Sequence, residues 1–233
     1  MKKVAESAIF LYNSSIMDKK RNLNSRTYWN GIHEKNAPKP IVSDGWLDDF
    51  SDVIENSVLP VIDLGCGSGN NIKTLTAMGK AVIACDLSET AVALAERNFP
   101  GLYAARCFDM TEGLPFADAS ADLIIADLSL HYFTRPETAF VLGEIRRVLT
   151  GGGYLLFRVN SVNDVNHGAG QGEEVETHLY RTEDGRLKRF FTEADIRDLF
   201  RDFDIEFLRE ETMTRYDTEK KLFRCRARGR REV

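Results

Sequence analysis

Ten consecutive residues, Val61-Ile62-Asp63-Leu64-Gly65-Cys66-Gly67-Ser68-Gly69-Asn70, combine an apolar run, an acid and three spaced glycines. A buried strand delivers the chain into a turn where side chains would obstruct. Gly65, Gly67 and Gly69 let the backbone bend sharply and come close to a ligand. The helix that follows directs its first N–H groups at the same ligand. Three further acids stand at comparable places: Asp86 before Leu87, Asp109 before Met110, and Asp127 before Leu128. One acid at the end of an apolar run is ordinary, but four in succession form a pattern.

Two nucleotide ligands compete for this turn. A dinucleotide fingerprint reads G-x-G-x-x-G, whereas here the glycines follow G-x-G-x-G and the sixth position is Asn70. Asp63, two residues before the first glycine, repels a pyrophosphate. It suits a ligand with a cationic amino-acid end and no phosphate, and adenosylmethionine has both properties. Asp86 can accept hydrogen bonds from ribose hydroxyls, as it would for NAD, so it does not discriminate. Asp109 can accept from the exocyclic amine of adenine, with Met110 against the ring.

These residues need a scaffold, and the hydrophobic pattern supplies one. Strands are predicted over residues 58–64, 81–86, 102–107, 121–126 and 154–159. Between them lie helices over 70–78, from a Ser88 cap to before Pro100, and from Pro136 to Leu149, with Gly151 to Gly153 as a break. Apolar strands alternating with helices imply a parallel sheet covered on both faces. By the rule for such sheets the ligand lies beyond the strands' carboxyl ends. An earlier helix is predicted through Trp46, Leu47, Phe50, Val53 and Ile54, capped by Ser43 or Asp44, and a later one from Thr192 through Ile196, Leu199 and Phe200. Two antiparallel strands close the chain, over 203–208 and 222–228. The alternating Arg224, Arg226 and Arg228 read as the solvated face of a charged edge strand rather than an RNA-binding stripe.

Acceptor-side candidates follow the fourth and fifth strands. His131, Tyr132 and Phe133 come first, then Arg158 and a polar, glycine-rich segment containing His167. Arg158 can pair with an anionic acceptor or with a neighbouring acid. His167 is either a base or a surface-loop histidine, and His131 a base or a pocket wall. Phe190-Phe191 close a lid or fill the core. The segment 160–190 is long enough to be a substrate lid.

The 233 residues are 43% hydrophobic and 29% charged, which suits one folded α/β domain. The net charge of −5 argues against a default nucleic-acid binder. Cys66, Cys85, Cys107 and Cys225 form no C-x-x-C pair and have no histidine nearby for a metal site, which reads as free thiols in a reducing compartment. Met1 to Tyr12 lacks the apolar run of a signal peptide, and no stretch reaches the length of a membrane span. A cytoplasmic chain without membrane association is expected.

The ordered set Val61 to Asn71, Asp86, Asp109, Asp127 to Phe133 and Leu149-Thr150-Gly151-Gly152-Gly153-Tyr154 resembles the motifs of class I adenosylmethionine-dependent methyltransferases over residues 58–160. Thr150 replaces that family's usual lysine, and Gly152 a common proline. The finer resemblance is to small bacterial methyltransferases of the tellurite-resistance and thiopurine type, where residues like Tyr28-Trp29 help close over the cofactor. The resemblance implies a three-layer Rossmann-like fold with a seven-stranded sheet, order 3-2-1-4-5-7-6 and strand 7 antiparallel. A helical lead over residues 1–56 caps a methyltransferase domain over 57–233. It implies adenosylmethionine as cofactor and adenosylhomocysteine as product. Asp63 and Gly65, Cys66, Gly67, Gly69 and Asn70 would hold the methionine part, Asp86 and Leu87 the ribose, and Asp109 and Met110 the adenine. Asp127 and Leu128 would lie beside the sulfonium. The expected acceptor is a small molecule (thiol or chalcogenide, nitrogen or oxygen) with no nucleic-acid partner, on a monomer or weak homodimer. The rival readings are an NAD-dependent oxidoreductase and a non-catalytic cofactor-binding protein.

Overall fold

The computed structural model describes residues 24–230. The reading of Met1 to Tyr12 and the first part of the 1–56 lead lie outside them. The seven-stranded sheet is built from β1 (Val61–Leu64), β2 (Val82–Asp86), β3 (Ala104–Cys107), β4 (Ala121–Asp127), β5 (Leu149–Asn160), β9 (Phe203–Met213) and β10 (Lys220–Gly229). Their spatial order is β3-β2-β1-β4-β5-β10-β9. The first five run parallel, and β10 is antiparallel to both β5 and β9. This is the order the family resemblance implies.

Burial on both faces explains the unbroken apolar runs. Val61, Val82 and Ala84 join one core with Trp46, Phe50, Ile72 and Leu75, under α2 (Ser51–Asn56) and α3 (Asn70–Ala77). Ile62, Ile83 and Cys85 point the other way, into a core with Val141, Ile145, Ile196 and Phe200. That second core lies under α5 (Arg135–Val148) and α6 (Glu193–Leu199). Strand periodicity therefore sorts successive residues between two cores. The helix starts follow capping chemistry. Ser88 accepts from the Ala91 N–H to open α4 (Glu89–Asn98), while Thr134 with Glu137 and Thr192 with Asp195 form capping boxes on α5 and α6.

Four boundaries differ from the sequence reading. The first strand begins at Val61, because Val58 is exposed and the Val58 and Leu59 N–H groups donate to the Asp122 carboxylate. Residues 46–54 form a 3-10 turn (Asp48–Phe50) and then α2, without either expected cap: Ser43 bonds Thr74, and Asp44 bonds Arg158. Gly151 to Gly153 do not end the helix before a later strand. β5 already starts at Leu149 and carries these glycines through a register shift against β4. Arg224, Arg226 and Arg228 are not on an edge strand, since β10 lies between β5 and β9. Arg224 pairs with Asp49 and Glu211, and Arg226 with Asp52 and Glu206, so the stripe ties the sheet to the segment around α2.

The 160–190 segment is also more ordered than a loop. After a 3-10 turn at Val165–His167 it forms an antiparallel sheet of β6 (Glu173–Glu176), β7 (Leu179–Arg181) and β8 (Leu187–Arg189). The Arg189 N–H donates to the His131 carbonyl at 2.7 Å and the Phe191 N–H to the Asn160 carbonyl at 2.8 Å, which fastens this small sheet above β4 and β5. Phe190 and Phe191 are both buried, Phe191 in the main core.

Candidate functional site

The site begins where β1 ends. Gly65, Gly67 and Gly69 all hold positive φ, at 78°, 51° and 93°. A Cβ on Gly65 would collide with the Ser129 side chain, and one on Gly69 would approach Phe99 at 2.5 Å. Glycine is thus required by both backbone angle and space. Asp86 straps the turn: its carboxylate accepts from the Gly67 N–H and the Ser88 N–H, both at 2.9 Å. Each of its oxygens keeps an acceptor site for another donor.

Asp63 is fully buried beneath the turn. Asn71 Nδ2 donates to its Oδ1 at 3.0 Å, while Oδ2 has no partner. Burial drives its pKa up to about 7, the Asn71 bond opposes, and Asp127 and Asp86 push it further up. A cation arriving at this place would relieve both the burial and the repulsion. Asp109 accepts from the backbone and hydroxyl of Thr111 through Oδ1 alone. Met110 packs partly buried beside it, and Leu87 is half-buried at the β2 end. Cys66 is buried in the turn, which raises its thiol well above the usual range and keeps it protonated.

Asp127 is placed differently from the free rim acid that the pattern implied. Arg158 donates to both its oxygens at 2.7 and 2.8 Å, and also to Asp44 at 2.8 Å. Arg158 is about as buried as any side chain in the fold and lies 4.6 Å over the Trp46 ring. Of the two roles open to Arg158, it takes the pairing with neighbouring acids. Leu128 follows with a left-handed φ of 55°, a strained conformation for a leucine at a strand tip. Arg215, from the β9–β10 connection, joins the cluster at 3.5 Å from Asp127 and 3.6 Å from Asp44. The Asn70 amide, with its oxygen toward Arg215 Nη1 at 3.3 Å, links this cluster to the glycine turn.

A helix over 24–36, α1, covers the carboxyl end of β2. Asn30 Oδ1 accepts from the Ser88 hydroxyl at 2.6 Å, and Arg26 pairs with Glu89 at 3.0 Å. From this helix Tyr28 and Trp29 meet edge to face at 5.1 Å, and Trp29 meets Tyr132 at 5.3 Å. His33, four residues on, sits against Gly67 and has an unpartnered buried Nδ1.

His131 is 2% exposed, with Nδ1 unpartnered. Burial, then Lys220, Lys188 and Arg186, hold its pKa well below the usual histidine value, so it is neutral. Burial likewise raises the Tyr132 phenol, which stays protonated. His167 is not a free surface histidine. Its Nδ1 meets the buried Asp164 at 2.9 Å and its Nε2 lies 3.4 Å from the Thr218 hydroxyl. Among the described residues no group of His, Cys, Asp and Glu could hold a metal, and no helix is long and apolar enough to cross a membrane.

The structure thus sets Asp63, Gly65, Cys66, Gly67, Gly69, Asn70, Asp86, Leu87, Asp109 and Met110 at or just beyond the tips of the neighbouring strands β1, β2 and β3, and brings Tyr28 and Trp29 of α1 to Tyr132 and His131 after β4. Asn71, His33, Asp44, Lys188 and Arg215 are the site residues the sequence reading missed. His33 had a signal, its i+4 spacing from Trp29 on one helix face, and Asn71 ends the Val61 to Asn71 motif and meets Asp63 locally. Asp44, Lys188 and Arg215 are placed by long-range folding.

Comparison with known proteins places this geometry. Residues 62–157 match a family described as a methyltransferase domain. The chain is 29% identical over 152 residues to a tRNA N(3)-cytidine methyltransferase METTL2 of Gallus gallus, covering 60% of this chain and 41% of the relative. It is 39% identical over 103 residues to a malonyl-[acyl-carrier protein] O-methyltransferase of Erwinia pyrifoliae, covering 43% and 37%. The chain therefore spans less than half the length of these curated relatives. A solved SAM-dependent methyltransferase from Methanosarcina mazei superposes with a TM-score of 0.65 at 23% identity, over 76% of this chain and 94% of that one, which establishes the shared fold. The first relative is named for action on tRNA, so the expectation of no nucleic-acid partner finds no support here.

Proposed function

We propose that this chain, whose residues 62–157 match a methyltransferase-domain family on a methyltransferase-like fold, transfers a methyl group from adenosylmethionine to a small-molecule acceptor. The observation that carries the proposal is the buried Asp63, with one oxygen unpartnered and its pKa pushed up to about 7, beneath a bare glycine turn. That is a seat for a cationic amino-acid end. Asp63 and the turn would hold the methionine portion, Asp86 with its spare acceptor sites the ribose, and Asp109 with Met110 the adenine. Tyr28 and Trp29 would close over them.

When bound, adenosylmethionine supplies a methyl group on a sulfonium, a good leaving group. Asp63, the glycine turn and Asp86 would hold it and present its methyl carbon to an acceptor lone pair, with the carbon–sulfur electron pair leaving on sulfur. The protein's work is then alignment and exclusion of water. Neutral His131 and protonated Tyr132 wall the space beside β4 without being strong bases. An acceptor that is already anionic, or has a free lone pair, needs no proton removed before attack. His167, oriented by Asp164, is the remaining base for an acceptor that must lose a proton.

Support for a small acceptor is the roof over this space, built from the chain's own α1, β6–β8 sheet and β9–β10 connection. The similarity to a tRNA cytidine methyltransferase favours a second reading, an RNA base as acceptor. The test is release of adenosylhomocysteine across thiols, selenite or tellurite, amines, phenols, carboxylic acids and unmodified tRNA. Turnover with a small compound and none with tRNA is expected. Turnover with tRNA alone supports the second reading instead.

A further inference from the structure

Lys188 has an unusual setting. It is a largely buried ammonium on β8 that pairs with no carboxylate among the described residues. Its Nζ donates to the His167 carbonyl at 2.5 Å and lies 5.3 Å from the Phe190 ring. A part-buried cation with no carboxylate in bonding contact is destabilised in its charged form, and Asp164 offsets this only through space. Other cations surround the same place. Lys220 Nζ bonds Asp164 at 2.6 Å, and Arg186, which pairs with Asp184, lies 3.7 Å over the Tyr28 ring and 5.9 Å from Trp29. His131, held neutral by these three cations and by burial, stacks at 4.2 Å on Tyr132. Tyr132 in turn meets Trp29 at 5.3 Å. The acids in bonding contact with these cations, Asp164 and Asp184, are taken by Lys220 and Arg186, and Asp164 reaches Lys188 and Asp127 reaches Lys220 only through space, which leaves Lys188 without a bonded carboxylate.

Resting on the methyltransferase reading, we infer that the acceptor is a small anion whose carboxylate or phosphate seats against Lys188, between Arg186 and Lys220, with its body against Trp29 and Tyr132. An ion pair formed here is shielded from water and is stronger than one at the surface. It also fits the absence of a strong base beside β4: an anionic oxygen or sulfur can attack the methyl carbon directly, and the positive sulfonium and negative acceptor leave as neutral groups.

The test is calorimetry on the full chain saturated with adenosylhomocysteine, titrated with malonate and separately with inorganic phosphate. The wild type and Lys188→Arg are expected to bind at least one of the two anions. Lys188→Met should weaken it by about tenfold or more, as for loss of a charge-assisted bond. Arg201→Gln, an exposed cation remote from the cleft, should leave it unchanged. In the wild type, an NMR titration of the Lys188 ammonium should start at about 8 and move upward when the anion binds. That measurement does not depend on a variant folding. Anion affinity equal in Lys188→Met and wild type, or no anion binding in a protein that takes adenosylhomocysteine, overturns the inference. Binding of an RNA oligonucleotide dependent on Lys188, with malonate and phosphate inert, overturns it in favour of a polyanion. Failure to bind adenosylhomocysteine at all sinks the underlying reading instead.

Discussion

The two halves of the cleft are built on opposite electrostatic plans. The proposed cofactor half is acidic and local: Asp63, the glycine turn, Asp86 and Asp109 sit at the ends of consecutive strands, each within a few residues of its own motif. The acceptor half is basic and aromatic, and it is assembled from segments far apart in the chain: α1, the β6–β8 sheet and the β9–β10 connection. A seam joins them, where Arg158 on β5 binds Asp127 on β4 and Asp44 on the lead. The difference teaches that a ligand shared by many folds of this kind can be held by short, ordered motifs. A variable ligand is met by whatever the tertiary structure brings over the strand tips.

Cutting the seam should have the largest effect. Arg158→Met strips the buried guanidinium from Asp127, whose side chain is 6% exposed, and from the part-exposed Asp44, and should cost about 3 kcal/mol of stability, read by urea denaturation. A loss below about 1 kcal/mol would mean that the acids find water or Arg215 instead, and that the halves are not joined as described.

Removing Asp86, the proposed ribose acceptor, comes next. Asp86→Ala should weaken adenosylhomocysteine binding by about 1–3 kcal/mol in calorimetry, as expected for lost hydrogen bonds to a charged group. Unchanged affinity in a folded variant would contradict its assignment to the cofactor half.

These two residues also mark what the sequence could disclose. The place of Asp86, at a strand tip beside the glycine turn, was readable because a carboxylate ends an apolar run one strand after that turn. The central sheet was readable for a related reason: strands buried on both faces must be continuously apolar. Arg158 was left open between an acceptor and an acid, because its partners Asp44 and Asp127 lie 114 and 31 residues away. The 160–190 segment hid its small sheet since strands of three or four residues carry too little periodicity to separate from a polar loop. Arg224, Arg226 and Arg228 alternate in the same way whether their face meets water or a charged helix, so only the fold could assign them.

pH separates the halves more finely. Asp63 has a folded pKa raised from the ordinary carboxylate value to about 7. Its neutral form is favoured below about 7 in the free protein, so this group costs the fold stability as pH rises from the ordinary carboxylate value to about 7, and the loss is constant above that. A cationic ligand favours the ionised form. Cofactor affinity should therefore fall as pH drops below about 7, approaching about 1.4 kcal/mol per unit once the acid is protonated, and Asp63→Asn should flatten the profile. Calorimetric Kd values at several pH points check this. A flat wild-type profile would detach Asp63 from the cationic end.

The smallest expected effect is a control that touches neither half. Thr134→Ala removes the capping box of α5 and should cost about 1 kcal/mol of stability, while cofactor affinity stays put. A large change in affinity would show that α5 transmits to the cleft.

The most direct test of the acidic half as a sulfonium-nucleoside site is a side-by-side titration of the purified chain with adenosylmethionine, adenosylhomocysteine and NAD. The first two should bind and NAD should not. Tight uptake of NAD with indifference to both sulfur nucleosides would contradict the account at its base.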